Sequence, residues 1–376
     1  MKTLSQILRA NLRLTARVFW AIPVVALALA SAQAGTVTTV ASTIPSNGDL
    51  NPYGVARVPT TTGSLTKGNI LISNFNNSQN LQGTGTTIVQ VTPSGTVALF
   101  AQIDANNLPG PCPGGIGLST ALVALRTGWV IVGSVPTTDG TSGTVQAGCL
   151  LVLNSNGQVV ETFFGSLING PWDMTAFDGG NNASLFVTNV LNGTVAGGGK
   201  IVSQGTVLRL DLNISHGSMP NLQQMTVVGS GFAERTDPGA LVIGPTGLAL
   251  SGGERHGHGG NQVLYVADSL NNRIVAIEDP LQRNTSDGEG ATVSRGGALN
   301  VPLGLAIAPS GDILTVNGGD GFLVETKVDG HHGHQVRKIL LDDMGTGAGA
   351  LFGLTAVAGQ GIYFVDDNEN ALNLFH

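Results

Sequence analysis

The chain has 376 residues, a formal charge of −7, 55 glycines and only 11% charged residues. Disordered chains combine low hydrophobicity with high charge, so this composition excludes disorder and fits many tight turns between short apolar strands. No basic run or basic amphipathic stretch occurs, which argues against nucleic acid or a membrane surface as partner.

The first 34 residues carry Lys2, Arg9, Arg13 and Arg17 and no acidic residue. An apolar run, 18–30, follows, and then Ala32-Gln33-Ala34 ahead of Gly35. A basic start, a short apolar core and small residues before a cleavage point predict a secretory signal peptide over 1–34. The run falls short of the ~20 residues of a bilayer-spanning helix, although an uncleaved signal anchor is the alternative. Removing these residues takes the formal charge to −11. The expected mature chain, 35–376, is then a single domain with no membrane span, exported to the periplasm or secreted.

From residue 51 onward one phrase recurs: a turn with Pro or Gly, then Gly, an aliphatic residue and a small one. It reads Pro52-Tyr53-Gly54-Val55-Ala56, Gly115-Ile116-Gly117-Leu118-Ser119 and Gly170-Pro171-Trp172-Asp173-Met174-Thr175. It returns as Pro245-Thr246-Gly247-Leu248-Ala249, Pro302-Leu303-Gly304-Leu305-Ala306 and Leu351-Phe352-Gly353-Leu354-Thr355. A second apolar run follows each copy (69–75, 129–132, 184–189, 263–268, 312–317, 361–366), and most of these runs end in Asn or Asp. Third and fourth runs follow in most copies, separated by turns such as Pro309-Ser310-Gly311. Four short strands per repeat without helical periodicity predict an all-β, six-bladed β-propeller of four-stranded antiparallel blades. The sixth repeat stops after three strands, and the β-branched stretch 36–41 is expected to supply the fourth and close the ring.

The segment Val263-Leu264-Tyr265-Val266-Ala267-Asp268-Ser269-Leu270-Asn271-Asn272-Arg273-Ile274 resembles the core of an NHL repeat. Blade 5 resembles it in part, through Pro302–Ala306 and Asp312, and blade 6 through Tyr363–Asn368. The other three share only its rhythm. The resemblance implies fold more than activity, because NHL-like propellers include enzymes, ligand sensors and protein-binding scaffolds.

In a propeller the d–a and b–c loops share one face and the a–b and c–d loops the other. Cys112 and Cys149 then fall at the same end of blade 2, where a disulfide is expected in an exported chain; free buried thiols are the alternative. The loops 74–85, 134–148 and 189–205 lie on that face too, as walls of a cleft or as surface decoration. His256, His258, His331, His332 and His334 sort to the opposite face, where imidazoles on adjacent turns are candidate Zn²⁺ ligands or simply solvated.

Gluconolactonase-like propellers hold a divalent cation at the channel mouth with Glu, Asn and Asp, and a glutamate opens their first blade. Here that place reads Asp49-Leu50-Asn51-Pro52, without a glutamate. Asp173, Asp237 and Asn300 are the candidate ligands near the mouth, for a divalent ion such as Ca²⁺ or Mg²⁺. The acidic stretch Asp366-Asp367-Asn368-Glu369-Asn370 reads as a structural turn. No Gly-x-Ser-x-Gly elbow exists, and Gly197-Gly198-Gly199-Lys200 lacks the spacing of a phosphate loop. The expected role is a module binding a small molecule or a protein; the alternative is a metal-dependent hydrolase or lyase of lactonase type.

Overall fold

A computed structural model describes residues 35–251, 262–342 and 349–376. Six antiparallel sheets follow one another along the chain, as the repeat predicts. Blade 1 holds Leu50–Arg57, Ile70–Asn76, Thr87–Val91 and Val97–Gln102, in that order from the axis outward. Blade 2 holds Leu118–Ala124, Val130–Ser134, Cys149–Leu153 and Val159–Phe163. Blade 3 begins with Pro171–Asp178 and Asn182–Asn189, then runs long through Val202–Asn213 and Asn221–Asp237. A fifth strand, Leu241–Ile243, pairs with the end of that last strand. Blade 4 comprises Pro245–Leu250, Val263–Asp268, Arg273–Glu278 and Ala291–Arg295. Blade 5 comprises Pro302–Ile307, Ile313–Asn317, Phe322–Asp329 and His332–Leu340. Blade 6 supplies Leu351–Val357, Gly361–Asp366 and Ala371–Phe375, and Val37–Ser42 completes it as the outer strand. The Thr36 amide donates to the His376 carbonyl at 2.8 Å, so the first and last strands pair and no blade is left open.

The recurring phrase is a bulge. In every blade the inner-strand register shifts near the start of the strand, between Pro52 and Gly54, Leu118 and Leu122, Pro171 and Met174, Pro245 and Leu248, Pro302 and Leu305, and Leu351 and Leu354. A bulge twists its strand and re-aims the residues within it. The glycine two places on faces the next blade at close range: a Cβ on Gly304 would lie on the Phe352 carbonyl, and one on Gly247 on that of Leu303. In blade 2 the glycines of the phrase precede the strand, and Thr120 stands at this position. Blade 3 places Asp173 there.

The residue opposite the last paired position before each bulge is polar in all six blades: Asn74, Ser134, Asn189, Asp268, Asn317 and Asp366. Several cap the loop that enters the blade. Asn189 Oδ1 accepts from the Asn169 amide at 3.1 Å, and Asn317 Oδ1 from the Asn300 amide at 3.1 Å. In blade 4, Asp268 pairs with Arg273 at 2.6 Å and accepts from Asn271, while Asn272 Oδ1 accepts from the Val301 amide at 2.6 Å. The sequence Asp-Ser-Leu-Asn-Asn-Arg is therefore a self-bonded turn that also holds the next blade.

Candidate functional site: the two ends of the central channel

The first position of each bulge, directly after Pro52, Leu118, Pro171, Pro245, Pro302 or Leu351, lies at the mouth, and its occupants divide by size. Ser119 and Thr246 are small, and their hydroxyls donate to the next blade, at the Pro171 carbonyl (2.7 Å) and the Pro302 carbonyl (3.2 Å). Tyr53, Trp172, Leu303 and Phe352 are large and form one buried cluster with Phe75. Tyr53 stacks on Phe352 at 4.4 Å and on Phe75 at 4.8 Å, and Trp172 meets all three rings edge-on at 5.7–6.3 Å. Offset stacks and T-shaped pairs are the favoured arrangements of aromatic quadrupoles. These rings plug the mouth on the face of the d–a and b–c loops.

The long loops seal the plug rather than walling an open cleft. Val135, Val145, Val190, Leu241 and Val242 are buried against the rings. Thr137 bonds through its amide to Gly83 (2.9 Å) and through its hydroxyl to Gln82 (2.5 Å), and Gln82 Nε2 donates to Gly239 at 3.0 Å. Blades 1, 2 and 3 thus share one lid. Cys112 and Cys149 are bridged, 37 residues apart, and tie the loop entering blade 2 to its third strand.

Beneath the plug the channel remains as a well of about 350 Å³, lined by the inner strands of all six blades. Its wall combines polar backbone of the inner strands with aliphatic side chains, and the titratable side chains among its lining residues are Asp173, Asp178 and Arg57. Asp173 sits high in the well, where its Oδ2 accepts from the Leu248 amide of blade 4 at 2.8 Å. Burial pushes its carboxyl up to about 7, against the pull of the Leu248 and Met174 amides. Asp178 is at the far end and is engaged by Arg126, whose amide donates to it at 2.6 Å. Arg57 ends the blade 1 inner strand, is exposed, and makes no ion pair among the described residues.

The other residues singled out from the sequence lie apart from this well. Asp237 pairs with Arg235 at 2.7 Å and accepts from the Gly239 and Ala240 amides, turning the corner into the fifth strand of blade 3. Asn300 holds the entry to blade 5, its amide on Asn317 and its carbonyl accepting from Gly319. Asp173, Asp237 and Asn300 therefore serve three different local structures, and the rings occupy the axis above Asp173. His331 is exposed and 3.6 Å from Glu278, and His332 and His334 are exposed on the outer strand of blade 5. His256 and His258 lie outside the described residues. Among the described residues no three His, Cys, Asp or Glu side chains gather as a metal cluster.

A second group of carboxyls lies at the mouth. Asp342 and Asp366 are buried, and Asp367 is beside them. Burial first, then Asp342 and Glu369, push Asp366 up to about 6; burial, then Asp366 and Asp342, push Asp367 up to about 7. The turn itself is structural, as expected. Asn370 Oδ1 accepts from the Asn51 amide at 2.7 Å, its carbonyl accepts from Thr43 at 3.0 Å, and Asn368 Nδ2 donates to Asp342 at 2.9 Å.

Sequence reasoning missed the plug. Its signal was present in the variable position of the phrase, where Tyr53, Trp172, Leu303 and Phe352 stand out against Ser119 and Thr246.

No protein-family model and no curated protein sequence matches this chain. Solved structures do resemble it. A gluconolactonase from Xanthomonas campestris aligns over 91% of this chain and 89% of its own, at 13% identity and a TM-score of 0.52. A PQQ-bound aldose sugar dehydrogenase from Streptomyces coelicolor covers 91% and 98%, at 15% identity and a TM-score of 0.51. A luciferin-regenerating enzyme covers 91% and 95%, at 11% identity and a TM-score of 0.52. At these identities the likeness is one of fold.

Proposed function

We propose that this chain is an exported, NHL-like propeller that binds a small molecule inside its central channel, entered from the face of the a–b turns. One observation carries the reading: the usual mouth is filled by packed rings, while the channel below stays open as a well with Asp173 inside. A volume of about 350 Å³ is at the small end of ligand pockets, which span roughly 300–1,000 Å³. Export, to the periplasm or the medium, is supported by the leader-like residues 1–34 and by the Cys112–Cys149 bridge, since such bridges persist in oxidising compartments.

The test fills the well. Ala306 lines it, so A306W should leave the fold melting cooperatively yet abolish binding of small molecules found by a thermal-shift screen of the unaltered protein. Because both native cysteines are bridged, A306C offers one thiol for labelling. Small reagents should reach it in the folded protein and bulky ones should not. Compounds that bind A306W as well as the parent would overturn the channel reading.

A second reading, a divalent-metal hydrolase or lyase, draws support from the fold likeness to gluconolactonase. Its candidate ligands Asp173, Asp237 and Asn300 are each engaged by separate local structure. Melting after EDTA treatment decides it: a specific ion at 100 times its dissociation constant should add about 2.7 kcal/mol of stability. We expect no shift with Ca²⁺, Mg²⁺ or Mn²⁺.

A further inference from the structure

We infer that the channel ligand is a slender amphoteric molecule: an ammonium or similar cation leads into the well toward Asp173, and an acidic group trails at Arg57. This deepens the channel reading and rests on it.

The register sets the charge pattern. Asp173 holds the same place relative to the bulge as Gly54 in blade 1, two residues past Pro171 and Pro52 respectively. Arg57 is three residues beyond Gly54, and three strand residues at ~3.3 Å each put the two backbone levels about 10 Å apart along the strand. Between them the narrow wall is inner-strand backbone together with Val55, Leu122, Leu248 and Leu305, which suits a slender stem. The third titratable group lining the well, Asp178, already has Arg126 beside it, which leaves Arg57 as the cation free for an incoming acid.

Asp173 is also the departure from the pattern of its own repeat. Four of the six blades have glycine at this position, where a side chain would strike the next blade. In blade 3 the carboxyl instead reaches across to the Leu248 amide and keeps surface exposed to the channel. A neutral side chain could make the same bond to that amide. A carboxyl adds the capacity to receive a cation in a site screened from bulk water, where charge-assisted bonds are strong.

The probes are 8-aminooctanoate, octanoate and octylamine, titrated calorimetrically into the protein and into D173N, R57Q and A306W. The amphoteric probe matches the ~10 Å spacing, and each charge-assisted contact should tighten it about tenfold over the singly charged probes. D173N should erase the advantage over octanoate, R57Q should erase the advantage over octylamine, and A306W should abolish all binding. Near neutral pH the ammonium also displaces a proton from Asp173 to the buffer. The heat of binding should therefore vary with the buffer's ionisation enthalpy in the parent and not in D173N.

Equal affinity for the three probes, no binding by any of them, or an advantage untouched by D173N and R57Q would each overturn the charge pattern. The channel reading then stands or falls separately, on A306C labelling and on whether A306W removes screened ligands. Binding of 8-aminooctanoate that survives A306W would sink both.

Discussion

The two ends of the central channel are built from the same repeated strand, yet one is solid and the other hollow. At the mouth, the first position of the bulge carries Tyr53, Trp172, Leu303 and Phe352 in four blades, and rings from three blades meet on the axis. Further along the same strands the lining residues include Val55, Leu122, Ala249, Ala306 and Ala356, which pack between blades and leave the axis open. The difference teaches that a propeller's channel is opened or closed by side-chain size at one or two positions per blade. The backbone is common to both ends.

The largest expected effect tests the solid end. W172A removes the ring that touches the other three, and a buried Trp or Phe truncated to Ala costs about 3–5 kcal/mol, read by chemical denaturation. Opening the Cys112–Cys149 bridge, by reduction or with C112A/C149A, should cost about 3–4 kcal/mol through the loop it closes. The lid over the rings should then become the first segment to exchange its amide hydrogens.

Titration separates the two ends next. Glu234 lies buried beneath the blade 3 part of the lid, where burial pushes its carboxyl up to about 8. Asp173, in the well, is pushed up to about 7. For both groups the folded value exceeds the unfolded one, so their contribution to stability is full below about pH 4 and is lost as pH rises through those values. The protein should melt higher at pH 5.5 than at pH 8.5. E234Q and D173N should each flatten the fall, by an amount on the order of a few kcal/mol. A bound channel ligand should change the profile of the parent and of E234Q, and leave that of D173N alone.

The smallest effect belongs to the outer surface. H332A and H334A remove exposed side chains from an outer strand and should move stability by no more than about 0.5 kcal/mol. Adding Zn²⁺ should leave their melting, and that of the parent, unchanged.

The repeat made most of the fold legible, because each copy of Pro-x-Gly-aliphatic-small is one bulged inner strand and each Asn or Asp at a strand end caps a turn. The closing strand could be read for the same reason: a blade one strand short and a spare β-branched segment at the other terminus complete each other. Blade 4 was the clearest, since its Asp268, Asn271, Asn272 and Arg273 bond among themselves within a few residues. Blade 3 was the least clear. Its fifth strand depends on a corner at Asp237 and on Leu241 at φ 63°, and neither follows from a local pattern. Asp173 could be named from the sequence as a residue near the mouth, but its neighbour Leu248 is 75 positions away. Asp237 and Asn300 shared that label and are taken up by their own loops.

The sequence by itself determined the number of blades, the caps, the ring closure and the proximity of the two cysteines. Each of these rests on spacing along the chain or on bonds within one repeat. Only the tertiary structure decided that the mouth is shut and the well open. That outcome depends on whether side chains from different blades, brought together by closure of the ring, are large enough to touch across the axis.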